Sequence, residues 1–290
     1  MELKFKDAYI QYLDYVECRL KNQSKRTLKE RYKSKILPYW ENYDIYKISE
    51  LDYIKFQNFI EQNNYSNSYK RNLHYMMTSY FDFCVKFLNL SKNVASLVGP
   101  FKNKNEIKKS KTYNLSQFKK FIKYVDNDVY KQFFNLMFFT GTRPGEAMAL
   151  RFSDLIGLTL SINKTIDEHG NREVNTPKTR SSIRKIKIDR KLSRDLLRLR
   201  KIYVSKYKDL NYDYYIFGGM KPLSPTTINR YKIKACEKAN LFSIRLHDFR
   251  HSHTTLLYQK HISVYAIKER LGHSDVNITM GTYIHRIYNF

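Results

Sequence analysis

Apolar positions recur through the first hundred residues with the 3.6-residue period of helices that bury one face. Residues 4–21 place Phe5, Tyr9, Leu13, Val16 and Leu20 on one stripe, and residues 69–88 carry a denser one through Tyr69, Leu73, Met76, Met77, Tyr80, Phe81, Cys84 and Leu88. Two shorter helices are expected between them. One runs from about Thr27 to the break made by Pro38; the other opens at Ser49, whose hydroxyl can cap Asp52 while that carboxylate reaches back. The first part of the chain therefore reads as a four-helix unit whose stripes form its core.

The stretch VGPFKNKNEIKKSKTYNLS then joins a Gly-Pro break to Lys102, Lys104, Lys108, Lys109 and Lys111, with little apolar content to fold around. This is the pattern of a linker. The expected organisation is a helical domain over residues 1–98, a basic linker over 99–112 and a second domain over 113–290. In the second domain YKQFFNLMFF is a strongly apolar helix ending at TGTRPGE, and alternation at Leu158, Leu160 and Ile162, then Ile186 and Ile188, predicts a small antiparallel sheet. Further helices are expected to begin near Lys191, Pro225, His247 and Ser263. The last is stopped by Gly272 and turns Val264, Ile267 and Leu271 inward. The fold class is mainly α with a small antiparallel β-sheet, an α+β arrangement.

Charge changes this picture most. The 53 Lys and Arg residues against 27 Asp and Glu leave a net +26, which favours polyanionic partners and nucleic acid first among them. A solvated basic surface would have the same composition. Residues 1–110 hold 20 basic and 12 acidic side chains and residues 111–290 hold 33 and 15, so both parts could grip one partner. No run of about 18 uncharged apolar residues and no signal-peptide pattern occurs, so no membrane partner is expected and an intracellular location is. Three cysteines, Cys18, Cys84 and Cys236, are far apart and in no metal-ligand spacing, which disfavours a disulfide framework or a zinc knuckle.

Several short stretches could carry chemistry. In TGTRPGE, Pro144 at the first helical position makes Arg143 the N-cap and puts Glu146 where its carboxylate reaches back to the cap. An arginine there is aimed at an anion, although a surface arginine at a helix start is a common alternative. In RLHDFRHSHTTLL, His247 and Arg250 share a helical face and could hold one phosphate. His247 and His251 have zinc-helix spacing with His253 nearby, but no glutamate, cysteine or other carboxylate completes a metal set. LGH puts His273 at a helix C-terminus, ten residues before Tyr283, and NTPKTRSSIRKI puts Lys178 in a turn before a strand. That turn lies in a stretch, 172–208, with 14 basic and three acidic residues.

The order of these stretches, T-G-x-R-x-x-E, a lysine turn, H-x-x-R, G-H and a tyrosine ten residues on, resembles the tyrosine recombinase (phage integrase) family over residues 111–290. The wording of TPKTRSSIRKI and HDFRHSHTTLL is most like integrases of temperate phages and conjugative transposons. The resemblance implies an N-terminal core-binding, SAM-like helical domain followed by a tyrosine recombinase catalytic domain. It implies a site-specific recombinase that cleaves and rejoins DNA through a 3′-phosphotyrosyl link, with no ATP, metal or other cofactor, for integration or excision of a mobile element. Carried onto this chain, Tyr283 is the nucleophile, Arg143 and Arg250 clamp the phosphate, and His247 assists the phenol. Lys178 protonates the leaving group, His273 donates to the phosphate, Glu146 is structural and Tyr288 is packing.

The same resemblance implies double-stranded DNA at core recombination sites as the partner, gripped by a C-shaped clamp of the two domains joined through the lysine tether. It also implies a homotetramer on DNA, accessory DNA-bending or directionality proteins, and action in the bacterial cytoplasm at the nucleoid. Many relatives carry a further arm-binding domain, whereas here the helical unit starts the chain. Only seven residues follow Tyr283, where relatives often extend a longer tail into a neighbour. Two other functions remain open to the residues: a DNA-binding regulator on the same fold, and a metal-dependent nuclease built on the histidines.

Overall fold

The computed structural model describes residues 2–20, 22–101, 111–166, 174–176 and 180–272. The chain divides into two compact units, 1–108 and 109–290. Residues 102–110 of the expected linker lie outside the described residues.

In the first unit α1 (Phe5–Glu17) is followed by α2 (Asn22–Arg31), which runs through a π turn (Tyr32–Ile36) into α3 (Leu37–Trp40). The break expected at Pro38 does not occur. The wider π turn lets the Leu37 N–H reach the Tyr32 carbonyl, and Pro38 then falls in the opening turn of α3, where its missing N–H has no helical partner to lose. Tyr32, Ile36 and Trp40, four apart and wholly buried, stay on one face because the helix continues. α4 (Glu50–Glu61) opens with the expected cap: Ser49 N–H donates to Asp52 Oδ2 at 3.1 Å and Asp52 N–H to Ser49 Oγ at 3.2 Å. α5 (Asn67–Phe87) carries the dense stripe, and a short α6 (Val94–Val98), absent from the expected pattern, is capped by Asn93 and packs on α4 and α5. The core is aromatic, and buried phenols find partners: Tyr32 Oη donates to Met76 O at 3.0 Å and Tyr80 Oη to Phe5 O at 3.1 Å.

The second unit opens with α7 (Leu115–Lys123), α8 (Asp128–Thr140) and α9 (Pro144–Ala149). Short strands follow: β1 (Leu155–Ile156), β2 (Thr159–Ile162), β3 (Thr165–Ile166), β4 (Val174–Asn175) and β5 (Arg184–Lys187). The antiparallel sheet has the order β1-β2-β5 with Leu160 opposite Ile186, both buried, and β3 pairs with β4. Leu158 departs from the expected alternation. It occupies the two-residue turn opened by Gly157 at φ +60° and is exposed.

Four helices complete the described unit: α10 (Arg190–Tyr207), α11 (Pro225–Lys238), α12 (Leu246–Gln259) and α13 (Val264–Leu271). α8 lies at the centre because it is apolar nearly all round, and α10 and α12 both pack on it. Phe249 of α12 stacks on Phe134 of α8 at 5.4 Å, and Phe118 of α7 stacks on Phe138 at 3.8 Å. These contacts set where α12, with its histidines and arginine, runs past the C-terminal end of α8. The molecule is thus mostly helical with small antiparallel sheets, as the patterning predicts.

Candidate active site

α8 has to stop and reverse before Arg143 can face a ligand. Gly141 does this in the left-handed region at φ +69°, with its N–H bonded to Met137 O at 2.9 Å. A Cβ there would lie 2.6 Å from Leu271 Cδ2 and 2.7 Å from His253 Cδ2, so α12 and α13 close directly on the turn. Arg143 follows in extended conformation as the N-cap of α9, ahead of Pro144.

Glu146 is the hub under Arg143. Its Oε2 accepts the Arg143 backbone N–H at 2.9 Å, as the motif predicts, and its Oε1 accepts Arg143 Nη1 at 2.7 Å. From β5, Arg184 donates Nη2 to Oε2 at 2.8 Å and Nη1 to Oε1 at 3.2 Å. The carboxylate is 2% exposed. Burial on its own would raise its pKa, but the bonds and charge of Arg184, and then Arg143, outweigh it and hold the group below the usual carboxylate range. Glu146 is therefore an anion at neutral pH that fixes two arginines. Arg184 Nε also donates to Arg270 O at 2.8 Å, tying β5 to the end of α13.

Arg250, also 2% exposed, stands on the inner face of α12. Its Nη1 donates to Gly141 O at 2.9 Å and its Nη2 to Leu271 O at 2.8 Å. Gly141 lies two residues before Arg143, and Leu271 directly precedes the Gly272–His273 motif. One guanidinium thus joins three stretches that are far apart in sequence. Gly272 ends α13 at φ +69°, and a Cβ there would come within 2.6 Å of Ser181 O, so that turn is pressed against the loop before β5.

His247 sits in the first turn of α12 with its surface open to solvent. Protein packed behind it removes part of its hydration, and His251, Arg250 and Arg143 add positive charge nearby, so its pKa falls to about 4. The imidazole is therefore neutral at pH 7.

The three histidines do not converge. The His247 and His251 rings meet edge to face at 5.1 Å, whereas His253 faces the core. There Arg270 Nε donates to His253 Nε2 at 3.2 Å, which places the proton on Nδ1, and Nδ1 donates to Phe138 O at 2.8 Å. Among the described residues no group of three His, Cys, Asp or Glu side chains could hold a metal ion.

Of the residues expected from sequence, the described structure brings Arg143, His247 and Arg250 together around the α8 turn. Lys178, His273 and Tyr283, and the alternative Tyr288, lie outside the described residues. Sequence reasoning missed Arg184 and Arg270, and weighed His253 only as a metal ligand. Nothing in their local sequence distinguishes Arg184 and Arg270 from the chain's many other cations. The described tyrosines narrow the choice of nucleophile, since burial raises the phenols of Tyr32, Tyr53, Tyr80 and Tyr113 away from the reactive phenolate.

Known proteins resemble this chain over most of its length. The model of the phage integrase family matches residues 111–289, and that of the phage integrase N-terminal SAM-like domain matches residues 4–60. ICEBs1 integrase of Bacillus subtilis (strain 168) is 34% identical over 264 residues, covering 86% of this chain and 70% of that protein. The integrase of Staphylococcus phage L54a is 29% identical over 272 residues, covering 82% and 76%. Among solved structures, the Tn1549 transposon integrase in complex with transposon right end DNA superposes with a TM-score of 0.78 at 16% identity, covering 95% of this chain and 94% of that one. A lambda integrase dimer bound to a COC′ core site superposes with a TM-score of 0.74 at 16% identity, covering 100% and 98%. The chain belongs to the phage integrase family and is a site-specific recombinase of the tyrosine type.

Proposed function

We propose that this recombinase uses Tyr283 as nucleophile on a DNA phosphodiester held by Arg143 and Arg250, with His247, Lys178 and His273 completing the set. The observation that carries the reading is the Arg250 guanidinium bonded to Gly141 O and Leu271 O. Those bonds draw the Arg143 turn, the α12 motif and the end of α13 to one point.

The chemistry balances without a cofactor. The Tyr283 oxygen bonds to phosphorus and the bond to the 5′-oxygen breaks, leaving a 3′-phosphotyrosyl link and a free 5′-hydroxyl. A phenol with an ordinary pKa of about 10 needs a proton acceptor; His247, neutral before DNA binds, takes that role once the anionic phosphate offsets the arginine charges that lower its pKa. Lys178 gives a proton to the departing 5′-oxygen. Negative charge that builds on the non-bridging oxygens meets Arg143, Arg250 and His273, and cations fixed beforehand stabilise the transition state most. Glu146 holds Arg143 in place from beneath. Attack by another 5′-hydroxyl reverses the step and rejoins DNA.

The partner in this reading is double-stranded DNA at core sites. Solved relatives support it: Tn1549 integrase in complex with transposon right end DNA, and a lambda integrase tetramer bound to a Holliday junction. By the same analogy the chain acts as a homotetramer, with residues 1–98 as the core-binding domain, 99–112 as the linker and 113–290 as the catalytic domain. Integration and excision of a mobile element in the bacterial cytoplasm at the nucleoid, aided by accessory DNA-bending or directionality proteins, is the matching task. The test is a nicked half-site that traps the covalent intermediate. Wild type should form a protein–DNA adduct with chelator present and without ATP, and Tyr283→Phe should form none. An adduct that persists in Tyr283→Phe, or cleavage that a chelator abolishes, overturns the reading.

A further inference from the structure

A cleft of about 910 Å3 lies beside the candidate site, between the N-terminal ends of α9 and α12 and the length of α11. Pro144, Arg245 and His247 border it at one end, and residues from Pro225 to Glu237 line its side. On an α-helix that span is about 18 Å. The lining is cationic, with Arg230, Lys232, Lys234 and Arg245 against Glu237.

Lys232 is unlike the other cations of this cleft. It is 5% exposed, on a helix whose other buried positions are Ile228, Ala235 and Cys236, the kind of position that an apolar side chain ordinarily fills. Lys234 has Asp126 at 3.4 Å, and Arg245 has Asp248 at 3.0 Å. Among the described residues Lys232 has no ion-pair or hydrogen-bond partner. Asp248, whose charge it feels, is turned to Arg245 and accepts that residue's backbone N–H at 2.8 Å. Its ammonium is not sealed off, since the only wholly enclosed side-chain polar atom without a partner among the described residues is Trp40 Nε1. Burial lowers the Lys232 pKa below the usual lysine range. A cation kept in such a place is costly unless something outside the protein pairs with it.

We propose that Lys232 is a built anion site in this cleft, which takes a DNA backbone phosphate other than the one attacked and so sets the register of the duplex against Arg143 and His247. The inference rests on the reading that the chain acts on DNA. The positive end of α12, whose first residues border the same cleft, favours the same anion. A phosphate held there from beneath positions the strand without reading its sequence.

The test replaces the ammonium with an apolar side chain of similar length, Lys232→Met, and follows binding to a duplex of arbitrary sequence as salt is varied. The free variant should melt at or above the wild-type temperature, because a buried unpaired charge is removed. Its log K against log salt slope should be shallower by about 0.9, so that the affinity advantage of wild type shrinks about threefold between about 50 and 200 mM salt. An unchanged slope, whatever the melting temperature, overturns the proposal, since the slope is read on folded protein. Wild type that neither binds duplex nor forms the covalent adduct would instead remove the functional reading itself.

Discussion

Arg184 straddles Glu146: its two terminal nitrogens reach the two carboxylate oxygens at 3.2 and 2.8 Å, and both side chains are buried. The same carboxylate holds Arg143, so the buried Arg184–Glu146 pair fixes the position of the arginine proposed to clamp the phosphate.

Replacing Glu146 by Gln should therefore do two things. It leaves Arg184 buried without its counter-charge, a loss on the order of 3–5 kcal/mol, and it frees Arg143 to wander. Urea unfolding should show the first effect. Trapping on the nicked half-site, with protein still folded, should show less adduct. Unchanged adduct yield in folded Glu146→Gln would mean that Arg143 does not depend on this carboxylate.

Arg250→Lys keeps the charge but offers one nitrogen where the guanidinium spreads two toward Gly141 O and Leu271 O. The rate of adduct formation should fall by about 10²- to 10³-fold under single-turnover conditions. A loss of less than about threefold would show that charge alone suffices there.

Gly141→Ala tests the turn between α8 and Arg143. A side chain at φ +69° costs about 1–2 kcal/mol in backbone strain, and its Cβ would collide with Leu271 and His253. The variant should melt lower and cleave more slowly, because Leu271, one of the two neighbours that must give way, also holds Arg250 through its carbonyl. Retention of the wild-type melting temperature would contradict this account.

His253 makes stability depend on pH. Its folded pKa is lowered to about 3, chiefly by burial and then by Arg270, while in the unfolded chain it is near 6.5. Between those values the unfolded state binds the extra proton. The contribution is therefore whole above about pH 6.5 and lost as pH falls toward about 3, at up to about 1.4 kcal/mol per pH unit. His253→Asn should flatten that part of the curve of urea midpoint against pH. An identical slope in the variant would assign the acid sensitivity elsewhere, with Glu146 the next candidate below about pH 4.

Several helices and their ends were readable in the chain, because caps and periodic stripes are local: Ser49 with Asp52, Arg143 with Glu146, and Ser263 with Gly272 form as their spacing predicts, whereas α6 and α7 were not foreseen. Arg143, His247 and Arg250 were singled out for another reason, their order within family motifs, and the fold sets them around one turn. Pro38 misled because a π turn, chosen to keep Tyr32, Ile36 and Trp40 in the core, cannot be inferred from spacing. Arg184, Arg270, His253 and Lys232 were beyond any local reading. For the first three, their surroundings come from what α8, α12, α13 and β5 press against them after folding, and for Lys232 from its burial on α11; burial, rather than residue type, sets these side chains apart on this basic chain.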